Sequence, residues 1–178
     1  YLNTTGSNNT ASGFAALFSN TTGSSNVANG YEALRNNTTG GSNTALGKAA
    51  LRSNTTSSNC TAVGHNAING NSGTENTAVG SYSLNATGTG AYNTASGSSS
   101  MQNLTTGSYN AAYGQASLYN LTSGTANTAV GRAASGSITT GQHNVSIGRD
   151  SNTNLTTGSG NIGIGHENSS GAYVPTFN

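Results

Sequence analysis

The chain has little charge, few large apolar residues and a single proline. Charged residues make up 5% of its 178 positions, against about 25% in a typical soluble domain, and the formal net charge is +1. Nucleic-acid binding requires a basic surface, so five Lys and Arg in total argue against such a partner. Disordered chains of low hydrophobicity usually carry high net charge, which this chain lacks.

Long apolar runs and paired cysteines are also missing. No stretch approaches the roughly 20 apolar residues of a membrane-spanning helix, and no signal-peptide pattern is visible, so membrane insertion is not expected. The one cysteine, Cys60, excludes a disulfide framework within the chain. Cys60 and His65 lack the further ligands of a metal site and the partners of a catalytic site. We therefore expect no cofactor, no metal and no enzymatic activity.

What the sequence has in abundance is a repeat built from Asn, Thr, Ser, Gly and Ala. The pattern is already in phase at Tyr1, which indicates a segment of a longer chain. The motif Asn-Thr-Ala-x-Gly, read with its variants, recurs every 17 residues with one step of 16 between Gly64 and Gly80. We predict that its final residues are structural glycines in turns with positive φ. These motif glycines are Gly13, Gly30, Gly47, Gly64, Gly80, Gly97, Gly114, Gly131, Gly148 and Gly165.

Three further positions recur before the motif glycine. A second glycine, which ends Thr-Thr-Gly, stands seven residues earlier, with Ser57 in its place in one unit. An asparagine stands four residues earlier in nine units and Cys60 in the tenth, and the residue two before the glycine is always small. Larger or β-branched residues flank that small residue, as in Thr61 and Val63. This period-two alternation predicts a short strand, and the frequent glycines argue against a helix.

The repeat predicts an all-β fold, a parallel β-solenoid or β-roll. Ten coils of about 17 residues would form a shaft over residues 1–171, followed by a junction segment over 172–178. Equivalent residues would stack about 4.8 Å apart, which gives a rod on the order of 50 Å long. Stacked asparagines would form amide ladders.

A large apolar residue stands four positions after the motif glycine in seven units. Another column, seven after the glycine, changes from Asn20, Asn37, Asn54 and Asn71 to large apolar residues at 104, 121, 138 and 155. We expect the alanines to fill a thin interior and the larger residues to stay partly exposed on a single rod, so that co-wound chains bury them. The residues indicate only more than one chain, and we expect a homotrimer because three-fold closure is the commonest arrangement in fibres. The leucine column is Leu17, Leu34, Leu51, Ile68, Leu84, Met101 and Leu118.

The unit Asn-Thr-Ala-Val-Gly-x-x-x-Leu resembles the head repeats of YadA-like trimeric autotransporter adhesins, which implies a left-handed parallel β-roll. The longer array Asn-Thr-Thr-Gly-Ser-x-Asn-Thr-Ala-x-Gly-x-x-Ala-Leu, over about residues 1–165, is more closely similar to bacteriophage tail-fibre proteins. Residues 170–178 look like the junction that leads, in such fibres, to an intramolecular chaperone domain of the endosialidase type. The resemblance implies a trimeric fibre shaft in a virion, which holds a receptor-binding tip for host attachment, or a stalk on a bacterial surface.

The charged residues and histidines follow the repeat rather than a cleft. Several directly follow the motif glycine, which predicts a solvated rim or, less readily, a stripe that contacts a cell-surface receptor, either glycan or protein. This contact column holds Phe14, Tyr31, Lys48, His65, Arg132, Arg149 and His166.

A rival function comes from the Thr-Thr pairs, such as Thr21-Thr22 and Thr38-Thr39. Regular threonine rows on a flat solenoid could bind ice or another ordered surface. Two observations weaken this reading: adjacent threonines on a strand point to opposite faces, and the row is interrupted at Ser72, Thr89 and Ser123.

Overall fold

The computed structural model describes residues 2–70 and 72–166. The expected junction at 172–178, and Asn71 in the column seven after the glycine, lie outside these residues.

The described residues form ten three-residue strands in a single parallel sheet, with no helix among them. Neighbouring strands in the sheet are consecutive in sequence, and the alanines two before the motif glycines pair with one another, as in Ala28 with Ala45. The predicted all-β solenoid of about 17-residue coils is therefore confirmed. The strands are β1 Thr10–Ser12, β2 Val27–Asn29, β3 Thr44–Leu46, β4 Thr61–Val63, β5 Thr77–Val79, β6 Thr94–Ser96, β7 Ala111–Tyr113, β8 Thr128–Val130, β9 Val145–Ile147 and β10 Ile162–Ile164.

The motif glycine ends each strand and begins a run of tight turns. All ten motif glycines have φ between 121° and 140°, a region that is essentially restricted to glycine, so this prediction is confirmed. In the second coil, Ala33 N–H donates to Gly30 O and Asn37 N–H donates to Leu34 O. Positive φ recurs two and four residues after the glycine, at 56° in Glu32 and 49° in Leu34. These left-handed positions let the chain reverse direction within a few residues.

The second glycine column requires glycine for a different reason from the motif glycines. Gly23, for example, does not lie in the left-handed region. A Cβ at Gly23 would collide with the carbonyl oxygen of Gly40 in the next coil and would come 2.5 Å from Asn20 Oδ1. Glycine is needed there because the coils approach too closely for any side chain.

The predicted amide ladder runs through the interior. Asn127 donates through Nδ2 to Asn110 Oδ1, at 3.1 Å, and to Gly141 O, at 2.8 Å. Its own backbone N–H donates to the same Asn110 oxygen at 3.0 Å. The same pattern recurs along the column, and it satisfies side chains that are almost completely buried.

The expectation that the leucine column stays partly exposed on a single rod is wrong. Leu34, Leu51 and Leu118 are fully buried within the single chain, in one core cluster with the alanine column. Leu121, in the column seven after the glycine, is fully buried in the same cluster, and Leu155 packs against it. The turns after the motif glycine direct both columns inward, so the interior contains leucines as well as methyl groups. The leucine column therefore gives no reason for a second chain.

The column seven after the glycine changes from a polar ladder to an apolar one. Asn37 Nδ2 donates to Asn20 Oδ1 at 2.9 Å, and Asn54 Nδ2 donates to Asn37 Oδ1 at the same distance. From Leu104 onward the column is apolar, and Leu104 is fully buried. Within each stretch the neighbouring side chains are of the same kind, so amides hydrogen-bond to amides and apolar side chains pack on apolar side chains.

We therefore expect Asn37→Leu to destabilise the protein even though leucine occupies the same column elsewhere. The substitution leaves the buried Asn20 Oδ1 without its donor, which costs about 1–3 kcal/mol in the free energy of unfolding. Chemical denaturation measures this change. The control Leu121→Ile, which keeps the apolar volume, should cost less than about 1.5 kcal/mol. Equal stability of Asn37→Leu and the natural sequence would contradict the ladder.

Candidate functional site

The contact column lies on the outside, where its members are exposed or half-buried. At its N-terminal end the rings of Phe14 and Tyr31 stack, with centroids 5.2 Å apart and planes 16° apart. Lys48 Nζ lies 6.0 Å from the Tyr31 centroid, within reach of a cation–π contact. The His65 and Tyr82 rings make a T-shaped contact, with their centroids 5.0 Å apart. The column is thus a ladder of neighbouring side chains rather than a concave site.

The C-terminal end of the contact column is basic and paired. Arg132 Nη2 donates to both carboxylate oxygens of Asp150, at 3.0 and 2.8 Å, and Arg149 Nε lies 3.5 Å from the same carboxylate. Arg149 also contacts the His166 ring. The arginine side chains remain more than half exposed, so these surface pairs contribute little to stability.

Cys60 and His65 do not form a site. Cys60 is fully buried in the asparagine column, where its thiol donates to Gly73 O at 3.4 Å and its backbone N–H donates to Asn43 Oδ1. The His65 ring contacts Tyr82 on the outside instead. Desolvation by burial raises the pKa of the Cys60 thiol above its usual value.

We expect Cys60 to be unreactive in the folded protein. A raised pKa keeps the thiol protonated, and burial blocks access to it, whereas thiol reagents attack the exposed thiolate. Labelling with a chromogenic disulfide at pH 8 should therefore proceed only as fast as the coil opens, and should be complete within minutes in denaturant. Fast stoichiometric labelling of the native protein would place Cys60 outside the core.

A row of exposed apolar side chains lies on the outer face of the ten-stranded sheet. The two outward residues of each strand carry no charge in any of the ten strands. Large apolar side chains on this sheet face remain well exposed in the single chain. They are Val27, Leu46, Val79, Tyr113, Val130, Ile147, Ile162 and Ile164, with exposures between 38% and 64%.

A second aromatic feature was missed by the sequence analysis. Tyr92 and Tyr109, each five residues before its motif glycine, stack with centroids 4.9 Å apart and planes 4° apart. Their spacing of 17 residues was a readable signal, because one coil step places equivalent residues side by side. We call them the tyrosine pair.

Among residues 2–70 and 72–166, no cluster of three or more His, Cys, Asp or Glu side chains could hold a metal ion. The described part of the chain also contains no helix long and apolar enough to cross a membrane. Comparisons with family models, curated proteins and solved structures found no match.

Proposed function

We propose that this chain is a length of a structural fibre shaft, in a bacteriophage tail fibre or in a bacterial surface adhesin stalk. The observation that carries the proposal is the single parallel sheet in which all ten strands keep the same register. Such a sheet adds about 4.8 Å for each coil of some 17 residues, so repeat number sets length. A part of this kind holds a receptor-binding tip away from the particle or cell.

The contacts between coils suit a load-bearing rod. Each coil is held to the next at its strand, its turns and its bends, as when Val27 N–H donates to Asn43 O, Leu17 N–H to Ala33 O and Thr21 N–H to Thr38 O. These bonds lie on several sides of the coil and all join adjacent coils. Bending the rod in any direction would therefore stretch a row of hydrogen bonds.

The sheet face supports assembly into a homotrimer. It is free of charge, eleven of its twenty outward residues are apolar, and it is as long as the sheet itself, while the charged residues of the chain lie on other columns. A second copy presents the same side chains at the same spacing of about 4.8 Å, so the two surfaces can interdigitate along their length. In this account the sheet face, rather than the leucine column, forms the seam between copies.

A charge in the seam tests this assembly. We expect Val130→Glu to lower the mass of the native particle to that of a single chain, or to raise the concentration needed for assembly at least tenfold. Light scattering measures the mass. Gln115→Glu adds the same charge at an exposed position of the column that follows the motif glycine, and should leave the mass unchanged. A Val130→Glu particle with the mass of the natural one would remove the sheet face from the interface.

The rival ice-binding function has less support. Thr21 and Thr38 donate their side-chain hydroxyls to carbonyl oxygens of the next coil, both at 3.0 Å, so these hydroxyl protons already have acceptors. The Thr-Thr pairs also lie in bends rather than strands, and the strand-based argument about their two faces does not apply to them. A thermal-hysteresis measurement separates the two functions, because a shaft has no effect on ice growth.

A further inference from the structure

The tyrosine pair presents one open ring face on the outside of the solenoid. The two rings are nearly parallel, so Tyr92 covers one face of Tyr109. Tyr109 is 65% exposed and Tyr92 is 45% exposed. The higher exposure of Tyr109 is expected if no side chain as large as a tyrosine covers its second face. An exposed aromatic face that is already held in place by a neighbour can bind a ligand with little loss of side-chain entropy.

The next two residues of the same column leave a gap beside this ring. Ala126 follows Tyr109 one coil later, and its methyl group is too short to cover a phenol ring. His143 follows one coil after that and is exposed. The φ values of Tyr109, Ala126 and His143 are 61°, 55° and 57°, so their Cα–Cβ bonds leave the backbone in similar directions.

The width of the gap favours a puckered ring. Two coil steps separate Tyr109 from His143, about 9.6 Å at the spacing of parallel strands. A ligand ring in the gap makes one van der Waals contact with Tyr109 and one with His143, and the two contacts together take up about 7–8 Å of this distance. Roughly 2 Å is left for the thickness of the ring itself. That is more than a flat aromatic ring needs, and it suits a saturated six-membered ring.

Neutral polar residues directly precede the three residues that flank the gap. Thr125 Oγ1 donates to Gln142 Oε1 at 3.2 Å, and these two residues directly precede Ala126 and His143. Ser108, directly before Tyr109, accepts a hydrogen bond from Ala91 N–H through its hydroxyl. Hydroxyl and amide groups beside an aromatic surface match the hydroxyls and the apolar C–H face of a sugar.

From this geometry we infer that Tyr109, Ala126 and His143 form a subsite for one pyranose ring of a glycan, with the sugar stacked on the open face of Tyr109. The subsite is separate from the contact column that follows the motif glycine. It also lies outside the two outward strand positions that form the sheet face, so assembly through that face leaves it accessible. The inference adds a binding activity to the shaft and does not depend on the shaft's oligomeric state.

Nuclear magnetic resonance of the tyrosine rings tests the subsite with defined probes. Methyl β-D-glucopyranoside, methyl β-D-galactopyranoside and methyl α-D-mannopyranoside are titrated separately to about 50 mM, since single-ring contacts give millimolar affinity. We expect at least one of them to shift the Tyr109 ring signals in a saturable way. No saturable shift with any of the three would overturn the inference.

Two variants and a matched control complete the test. Tyr109→Ala, followed through the ring signals of Tyr92 and His143, should weaken binding about tenfold by removing the stacking surface. Ala126→Tyr should abolish binding while keeping the fold, because a third tyrosine extends the stack and fills the gap. Tyr31→Ala, in the other aromatic stack, should bind like the natural chain. Unchanged binding by Tyr109→Ala contradicts the inference, as does a Tyr109→Ala particle of reduced mass, because the ring would then belong to a contact between copies.

Discussion

Gly114→Ala is expected to destabilise the shaft by at least about 3 kcal/mol, one of the two largest effects that we predict for a single substitution. Gly114 has φ 130°, which a residue with a side chain rarely adopts. A Cβ there would lie 2.5 Å from Gly131 O and 2.6 Å from Gly131 C in the next coil. The strand and the following turn would both have to move. Thermal unfolding followed by circular dichroism measures the loss.

A glycine outside the left-handed region provides the control. Gly41 occupies a position where the coils on either side have Ser24 and Ser58. Ser58 Oγ accepts from Gly41 N–H at 3.0 Å, and a serine at 41 would offer Ser24 N–H the same bond. A Cβ at Gly41 would lie 3.1 Å from Ser24 O, a tight contact that offsets part of the gain from the new hydrogen bond, so Gly41→Ser should change the free energy of unfolding by less than about 1 kcal/mol. If Gly114→Ala and Gly41→Ser had the same effect, the special role of the motif glycine would be wrong.

Ala95→Leu is expected to overpack the interior. Ala95 is fully buried in the centre of β6 and pairs with Ala78 and Ala112 in the neighbouring strands. Extra carbons at this position have no free volume beside the fully buried leucine column, which typically costs 1–3 kcal/mol or more. In an assembly the cost recurs in every copy. The change in free energy of unfolding is measured by denaturant titration.

The outward neighbour of Ala95 offers a matched substitution. Thr94 lies on the sheet face, in a column that holds Val27 and Ile162 in other coils. Thr94→Leu adds a large apolar group on the same strand, and we expect it to cost much less stability than Ala95→Leu because its column accommodates Val and Ile in other coils. A melting temperature for Ala95→Leu equal to that of the natural protein would show that the alanine column is not the tight interior position.

The strands, the alanine interior and the asparagine ladder were predictable because they depend on local rules. Period-two alternation places Ala78 inward and Thr77 and Val79 outward, whatever the rest of the coil does. A strict repeat places equivalent asparagines side by side, and amides in such a column can only pair with each other or with the backbone. The motif glycine was predictable because few residues besides glycine tolerate a strongly positive φ.

The position of the leucine column was not predictable from the same rules. Leu51 has φ 51°, a conformation that costs a residue with a side chain about 1–2 kcal/mol and is not expected from its propensity. Burial of the whole side chain, which contributes about 1.5–3 kcal/mol, offsets this strain. The expectation of a thin interior filled by alanines therefore left Leu51 outside the core.

The tyrosine pair was overlooked for a different reason. Columns that recur in most coils point to residues with a structural role, whereas Tyr92 and Tyr109 stand in a column that varies from coil to coil, with Asn, Ser, Glu, Ala, His and Gly at its other positions. Departures from the repeat at exposed positions are not needed for folding. They are the better guide to what a repetitive surface binds.

The mass of the native particle tests most directly the claim that copies of this chain join along their sheet faces to form a shaft. Multi-angle light scattering at micromolar concentration should give three copies of the 17.6-kDa chain, about 53 kDa. Melting should then depend on protein concentration, because dissociation exposes the sheet face. A folded particle of 17.6 kDa with a concentration-independent melting temperature would contradict the claim and identify the protein as a single-chain solenoid.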